Sequence, residues 1–120
     1  MKGIDEVIVY CVNDGAVMKA WEEDQFKKAG VPEDKFFKFF ADTRGEFSKA
    51  LDMVMDHPGP LAAIGSPRCK RFAMLVKDGT VLAINVSEGP DDPAGDDDPS
   101  ASLADAMLVT IDALKGKNEL

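Results

Sequence analysis

Two cysteines, Cys11 and Cys69, and one histidine, His57, are all the chain offers for thiolate, imidazole or zinc chemistry. Two thiols are too few for a disulfide framework, which favours a reducing compartment inside the cell, the cytoplasm or an organelle such as a plastid or mitochondrion; a single bridge stays open. No Cys-x-x-Cys occurs, so a thioredoxin-type dithiol motif is absent, and His57 has no cysteine at ligand spacing, so no metal site is expected. Cations are also scarce. Fourteen Lys and Arg face 22 Asp and Glu, and the net charge of -8 repels phosphate backbones and anionic headgroups. Nucleic acid is therefore not an expected partner. No apolar run approaches the roughly 20 residues that cross a bilayer, and Met1-Lys2-Gly3-Ile4-Asp5-Glu6 lacks the apolar stretch of a secretory signal, so no membrane insertion is expected. Gly-x-Gly-x-x-Gly, Walker and Gly-x-Ser-x-Gly patterns are missing, which leaves nucleotide and α/β-hydrolase chemistry without an anchor and no cofactor expected.

What is present suits a folded α/β domain. With 120 residues, 45% of them hydrophobic, the chain fits one domain, 1–120, able to bury about 65% of its unfolded surface. Val7 to Val12 is β-branched and apolar at nearly every position, which predicts a strand covered on both faces. Asn13 and Asp14 then offer caps for a helix carrying Val17, Ala20 and Trp21, stopped by Gly30 and Pro32. Phe36 to Phe40 predicts a second strand, ended by Asp42. Thr43 and Glu46 form a capping box ahead of a stripe of Phe47, Ala50, Leu51, Val54 and Met55, and His57-Pro58-Gly59-Pro60 breaks that helix. Arg71 to Lys77 and Thr80 to Val86, joined by Asp78-Gly79, predict a hairpin, because a type I′ turn needs positive φ at both link residues. Residues 88–99 hold six acidic side chains among Gly and Pro and predict an exposed, mobile loop with nothing to bury, most simply a solvated charge run. A last helix starts near Ser102 and buries Ala104, Met107, Leu108, Ile111 and Leu114. The expected order is β-α-β-α-β-β-α.

Cysteine chemistry is the first candidate activity. Cys69 lies between Arg68 and Lys70-Arg71, whose charge would favour a thiolate and make an exposed sulfur reactive. The plainer reading, a loop cysteine of no consequence, carries more weight on sequence alone. Cys11 lies inside an apolar strand, where burial raises a thiol's pKa, and reads as a core residue. Asp14 and Asp42 close strand ends, where α/β active sites gather, but capping is the more economical role for each.

Several ordered segments resemble one family. Asp5-Glu6-Val7-Ile8, Val12-Asn13-Asp14 and Val17-Met18-Lys19-Ala20-Trp21, then Ala41 to Leu51, Lys70 to Val76, Asp78-Gly79 and Asn85-Val86, are similar to type II peroxiredoxins, the atypical two-cysteine thiol peroxidases of the redoxin group. The likeness runs from about Lys2 to Leu114, and the acidic loop is longer than usual. It implies a thioredoxin-like fold and a thioredoxin- or glutaredoxin-dependent peroxidase ancestry. It also implies that Arg71 matches the arginine that stabilises the peroxidatic thiolate and orients the peroxide. The family's Pro-x-x-x-Thr/Ser-x-x-Cys motif has no match: Ser66-Pro67-Arg68-Cys69 shares its ending, but Ala62 stands where proline is required. The resolving cysteine of plant-type relatives matches Val9, two residues before Cys11. By the same resemblance, the N-terminal strands and catalytic helix fall outside these residues, including a strand that would lie between Val7–Val12 and Arg71–Lys77. The expectation is a redoxin-like chain with little or no peroxidase activity. The alternatives are a non-catalytic structural or binding subunit, or a fragment of an active peroxidase. A second copy, a partner chain or a further segment would complete the sheet.

Overall fold

The computed structural model describes residues 3–118. In chain order its elements are β1 (Val7–Cys11), α1 (Gly15–Ala29), β2 (Phe37–Ala41), α2 (Glu46–Ala50), β3 (Val54–Met55), α3 (Pro58–Ile64), β4 (Arg68–Cys69), β5 (Phe72–Lys77), β6 (Thr80–Val86), a 3-10 turn at Ser100–Ser102, and α4 (Ala104–Gly116). The strands pair as β1–β2, β3–β4 and β5–β6. The order contains the expected β-α-β-α-β-β-α series, with β3, α3 and β4 inserted in the stretch read as a helix end and a loop. The chain forms two compact units, one of Met1–Val54 with Pro67–Cys69, the other of Met55–Ser66 with Lys70–Leu120.

In the first unit β1 and β2 run parallel, in register from Val7 opposite Phe37 to Cys11 opposite Ala41. Parallel neighbours need a crossover, and α1 supplies it. Asp14 starts this helix by accepting from the Val17 amide at 2.8 Å, as its position in the sequence predicts. Met18 and Phe26 turn inward from α1, and Trp21 and Phe26 meet Phe39 and Phe37 edge-on, with ring centres 5.4 and 6.0 Å apart. The double-sided burial expected of β1 is not found: Ile8 is 55% exposed, and among the described residues β2 is the only strand paired with β1.

The helix expected through Met55 stops at Ala50. The Asp52 amide bonds the Lys49 carbonyl and the Met53 amide bonds the Ser48 carbonyl at 2.8 Å, while Asp52 takes φ 58°, so the chain turns back before a second helical turn forms. An apolar stripe at i, i+3 and i+4 fits a helix, yet Val54 and Met55 satisfy it from a strand. The Thr43–Glu46 capping box is likewise replaced. Gly45 holds the cap position, and the free amides of α2 are met by Asp42 instead.

In the second unit, His57-Pro58-Gly59-Pro60 opens a helix rather than breaking one, as the preceding helix has already ended at Ala50. Pro58 begins α3, where its missing N–H costs nothing. β5 and β6 form the expected antiparallel hairpin, with Asp78 at φ 51° and Gly79 at φ 78°. Leu75 and Ile111 are buried, whereas Met107, Leu108 and Leu114 are half-buried and Ala104 is exposed. Ser102 lies in the 3-10 turn rather than capping α4.

Candidate thiol site

The first unit gathers its polar groups around Ser48, which is 1% exposed. The Asp42 carboxylate accepts from the Phe47 amide at 3.1 Å, the Ser48 amide at 2.9 Å and the Ser48 hydroxyl at 2.8 Å. Burial pushes this carboxyl up, but the amides of Ser48 and Phe47 and the Ser48 hydroxyl outweigh it, and its pKa lies below the usual carboxylate value. Asp42 is thus a cap, as its place at a strand end suggests. The Tyr10 hydroxyl lies 3.1 Å from the Ser48 hydroxyl oxygen. Tyr10 also stands edge-on to Phe47 at 4.8 Å. Burial, first of all, pushes its phenol from 10.0 up to about 12, so Tyr10 stays protonated, a donor, at any physiological pH.

This chain of groups ends at Cys69. The groups that act on its ionisation are the Cys11 thiol, the Val12 amide, its own amide and the Tyr10 hydroxyl. The Cys11 bond is the largest influence, and together these donors overcome burial and bring the Cys69 thiol from 9.0 down to about 6. The cause differs from the one predicted. Flanking cations were expected to favour the thiolate, but the influences that lower it are hydrogen bonds, and Arg68 directs Nη1 to the Val12 carbonyl. Hydrogen bonds from β1 stabilise the charge instead.

Backbone geometry explains why β1 can do this. The Cys11 carbonyl accepts from the Asp42 amide at 2.9 Å, on the edge facing β2. Peptide groups of successive strand residues point to opposite edges. Val12 therefore turns its N–H and C=O to the far edge, where the N–H meets the Cys69 sulfur and the C=O meets Arg68. Both cysteines are reduced and half-buried. Cys11, expected to be a core residue, is half-buried, and its thiol is the first influence on the ionisation of Cys69.

Arg71 stands just before β5, at the start of the hairpin in the second unit. Its Nη2 bonds Asp96 Oδ1 at 2.7 Å and its Nε donates to the Ala94 carbonyl at 3.3 Å. Asp96 belongs to the acidic loop, and the expectation that this loop has nothing to bury is corrected here. Gly95 is buried at φ 69°, where an added Cβ would lie 2.2 Å from the Ser87 carbonyl oxygen. Ser87, 2% exposed, bonds through its hydroxyl to the Pro99 carbonyl at 2.8 Å and to Ser102. Asp92 accepts from the amides of Asp97 and Asp98, and Asp98 accepts from Ser100. The carboxylates of the loop fold it by binding its own backbone.

Tyr10 and Ser48 were missed in the sequence. Their only signal is a hydroxyl, within an apolar run for Tyr10 and between Phe47 and Lys49 for Ser48, which a solvated side chain gives equally well.

The redoxin family profile matches residues 1–104. The chain is 39% identical over 88 residues to peroxiredoxin-2B of Arabidopsis thaliana, covering 73% of this chain and 49% of that protein. It is 37% identical over 91 residues to the mitochondrial peroxiredoxin-2F of the same plant, covering 76% and 41%. Reduced Prx3 from Vibrio vulnificus superposes with a TM-score of 0.70 at 32% identity, over 92% of this chain and 60% of that one. The chain therefore spans about half the length of these curated relatives. No described helix is long and apolar enough to cross a membrane. With a matching profile over most of its length and a thioredoxin-like peroxiredoxin fold, the chain belongs to the redoxin family.

Proposed function

We propose that these residues are a type II peroxiredoxin-like domain which, by themselves, support little or no thiol-dependent peroxidase turnover. The observation that carries this reading is the state of Arg71, matched by resemblance to the family's active-site arginine: its guanidinium is engaged by the Asp96 carboxylate at 2.7 Å. An arginine that polarises a peroxide needs its charge directed at the reacting sulfur, and a carboxylate at this distance opposes that field. The missing Pro-x-x-x-Thr/Ser-x-x-Cys motif points the same way. Function is set by the site rather than by the shared fold.

Two alternatives each have an observation behind them. A non-catalytic structural or binding subunit is favoured by apolar exposure: Ile8 is 55% and Phe40 51% exposed, and β1 has strand pairing on one edge. Exposed edges and apolar side chains are covered in assemblies by a second copy or a partner chain. A fragment of an active peroxidase, reduced by thioredoxin or glutaredoxin and acting on hydrogen peroxide or alkyl hydroperoxides, is favoured by the 49% and 41% coverage of the relatives. The thiol content and the named relatives suit a reducing compartment, cytosolic or organellar.

The test is hydrogen peroxide consumption by the chain with dithiothreitol or thioredoxin as reductant. Background rates are expected. A saturable rate abolished by Cys69→Ser overturns the reading, and restoration of turnover by adding a further segment of the protein selects the fragment.

A further inference from the structure

We propose that Met107 is a modification site, at which a hydroperoxide transfers oxygen to the thioether sulfur and the Asn85 amide receives the methionine sulfoxide that forms. The site lies within the second unit, uses neither cysteine, and stands whether or not these residues turn over peroxide.

The meeting of α4 with the hairpin builds the site. Asn85 sits on β6 opposite Ala73, on the face shared with Leu75 and Ala83, since residues two apart along a strand point the same way. Met107, Thr110 and Ile111, at i, i+3 and i+4, share one face of α4. Asn85 Nδ2 donates to Met107 Sδ at 3.2 Å and to Thr110 Oγ1 at 3.2 Å, and the Thr110 hydroxyl donates onward to the Ala106 carbonyl at 3.1 Å. Both amide hydrogens are thus engaged, and one is directed at a thioether, a weak acceptor. Oxidation would make that side chain polar and give it an oxygen to accept the same N–H. The other described methionines lack this arrangement: Met18 and Met55 are buried, and Met53 and Met74 are half-buried with no hydrogen bond at sulfur. Met107 is half-buried as well, so a small peroxide can reach it, and a donor already stands at its sulfur.

The reaction balances with hydrogen peroxide or an alkyl hydroperoxide, ROOH, as the oxidant. A sulfur lone pair attacks the terminal oxygen, the O–O bond breaks, and RO⁻ leaves. The proton on the transferred oxygen passes to RO⁻, giving ROH, and an S–O bond remains. Sulfur is oxidised by two electrons and the peroxide is reduced to water or an alcohol. Negative charge develops on the transferred oxygen, and an N–H aimed at the sulfur is placed to meet it. Sulfur carries two lone pairs, and addition at either gives a different sulfoxide epimer. Asn85 approaches from one side, so it favours the epimer whose oxygen points to Nδ2.

The test treats the chain with hydrogen peroxide, folded and in urea, digests it, and locates sulfoxide by peptide mass. The two epimer-specific sulfoxide reductases then report the epimer ratio of the Met107 peptide. One epimer is expected in about fivefold excess from the folded chain, the factor that a single hydrogen bond makes, and the two in near-equal amounts from urea. Asn85→Ala should bring the folded ratio toward equality. Asn85→Asp, which keeps the shape and has no N–H to give, should do the same and serves where the alanine variant fails to fold. Equal epimers in the folded chain, an excess that persists in these variants, or a Met107 left intact while Met53 and Met74 are oxidised overturns the proposal. Peroxide turnover with a reductant is not read here, so failure of this proposal is separate from failure of the functional reading.

Discussion

Each unit is organised around one almost fully buried serine, and the two serines are wired to different ends. Ser48 links a capped helix start to a tyrosine and from there to a thiol pair. Ser87 links the end of β6 to the return of the acidic loop, through Pro99 and Ser102. In both, a hydroxyl without access to water is tolerated because its hydrogen-bonding capacity is met inside the protein. The difference lies in what the neighbouring charge faces. Asp42 spends its charge on backbone amides and a hydroxyl, whereas Asp96 meets the Arg71 guanidinium directly. The first arrangement prepares a nucleophile. The second quiets a cation.

The comparison can be broken most severely at Gly95. Gly95→Ala puts a methyl against the Ser87 carbonyl in a left-handed backbone, and a loss of about 3 kcal/mol or more is expected in urea unfolding. The Cys69 environment of the other unit should be retained at denaturant concentrations below the transition, as read by its alkylation rate. Asp42→Ala strikes the first unit in the matching place. Two amides and the Ser48 hydroxyl lose their acceptor, at a cost of about 2 kcal/mol. Since the folded state lowers the pKa of Asp42, its contribution is complete above the unfolded carboxyl pKa of about 3.9 and is lost as pH falls through the lower folded value. Acid unfolding of the variant should be correspondingly less steep.

Cys69 gives a second pH signature with the same sign. Its folded pKa of about 6 lies below the unfolded thiol value of about 8.5, so stability should rise from pH 6 to about 8.5 and level off above it. Cys69→Ser should remove that slope from thermal scans while leaving the acid limb set by Asp42. Tyr10→Phe removes one of the weaker influences on the sulfur, and an about 1.5-fold fall in Cys69 alkylation at pH 6.5 is expected, equivalent to a rise of about half a pKa unit. The smallest effect belongs to Asp96→Asn. Its ion pair is exposed on both sides, and a stability change within about 0.5 kcal/mol is expected.

Local signals were legible in the sequence wherever one or two residues decide a conformation. Asp14 starts α1, Gly30 ends it, and Asp78-Gly79 turns the hairpin, each through its own backbone or side chain. The stripe from Phe47 to Met55 misled because apolar spacing does not register the turn at Asp52, which rests on backbone hydrogen bonds. The acidic loop read as unstructured because its composition lacks apolar side chains, while its order comes from Asp92 binding amides and from the close approach of Gly95 to Ser87. The basic residues around Cys69 indicated a lowered pKa but supplied the wrong donors. The influence of Cys11 on Cys69 joins residues far apart in the chain, which no spacing in the sequence encodes.

The central claim, that hydrogen bonds from β1 hold Cys69 as a thiolate beside Cys11, is tested most directly by titrating the rate of iodoacetamide reaction at Cys69 against pH in the reduced, unsubstituted chain. A midpoint near pH 6, moved upward by Cys11→Ala, is the expected result. A midpoint at the ordinary thiol value of about 8.5, unchanged in that variant, contradicts the account.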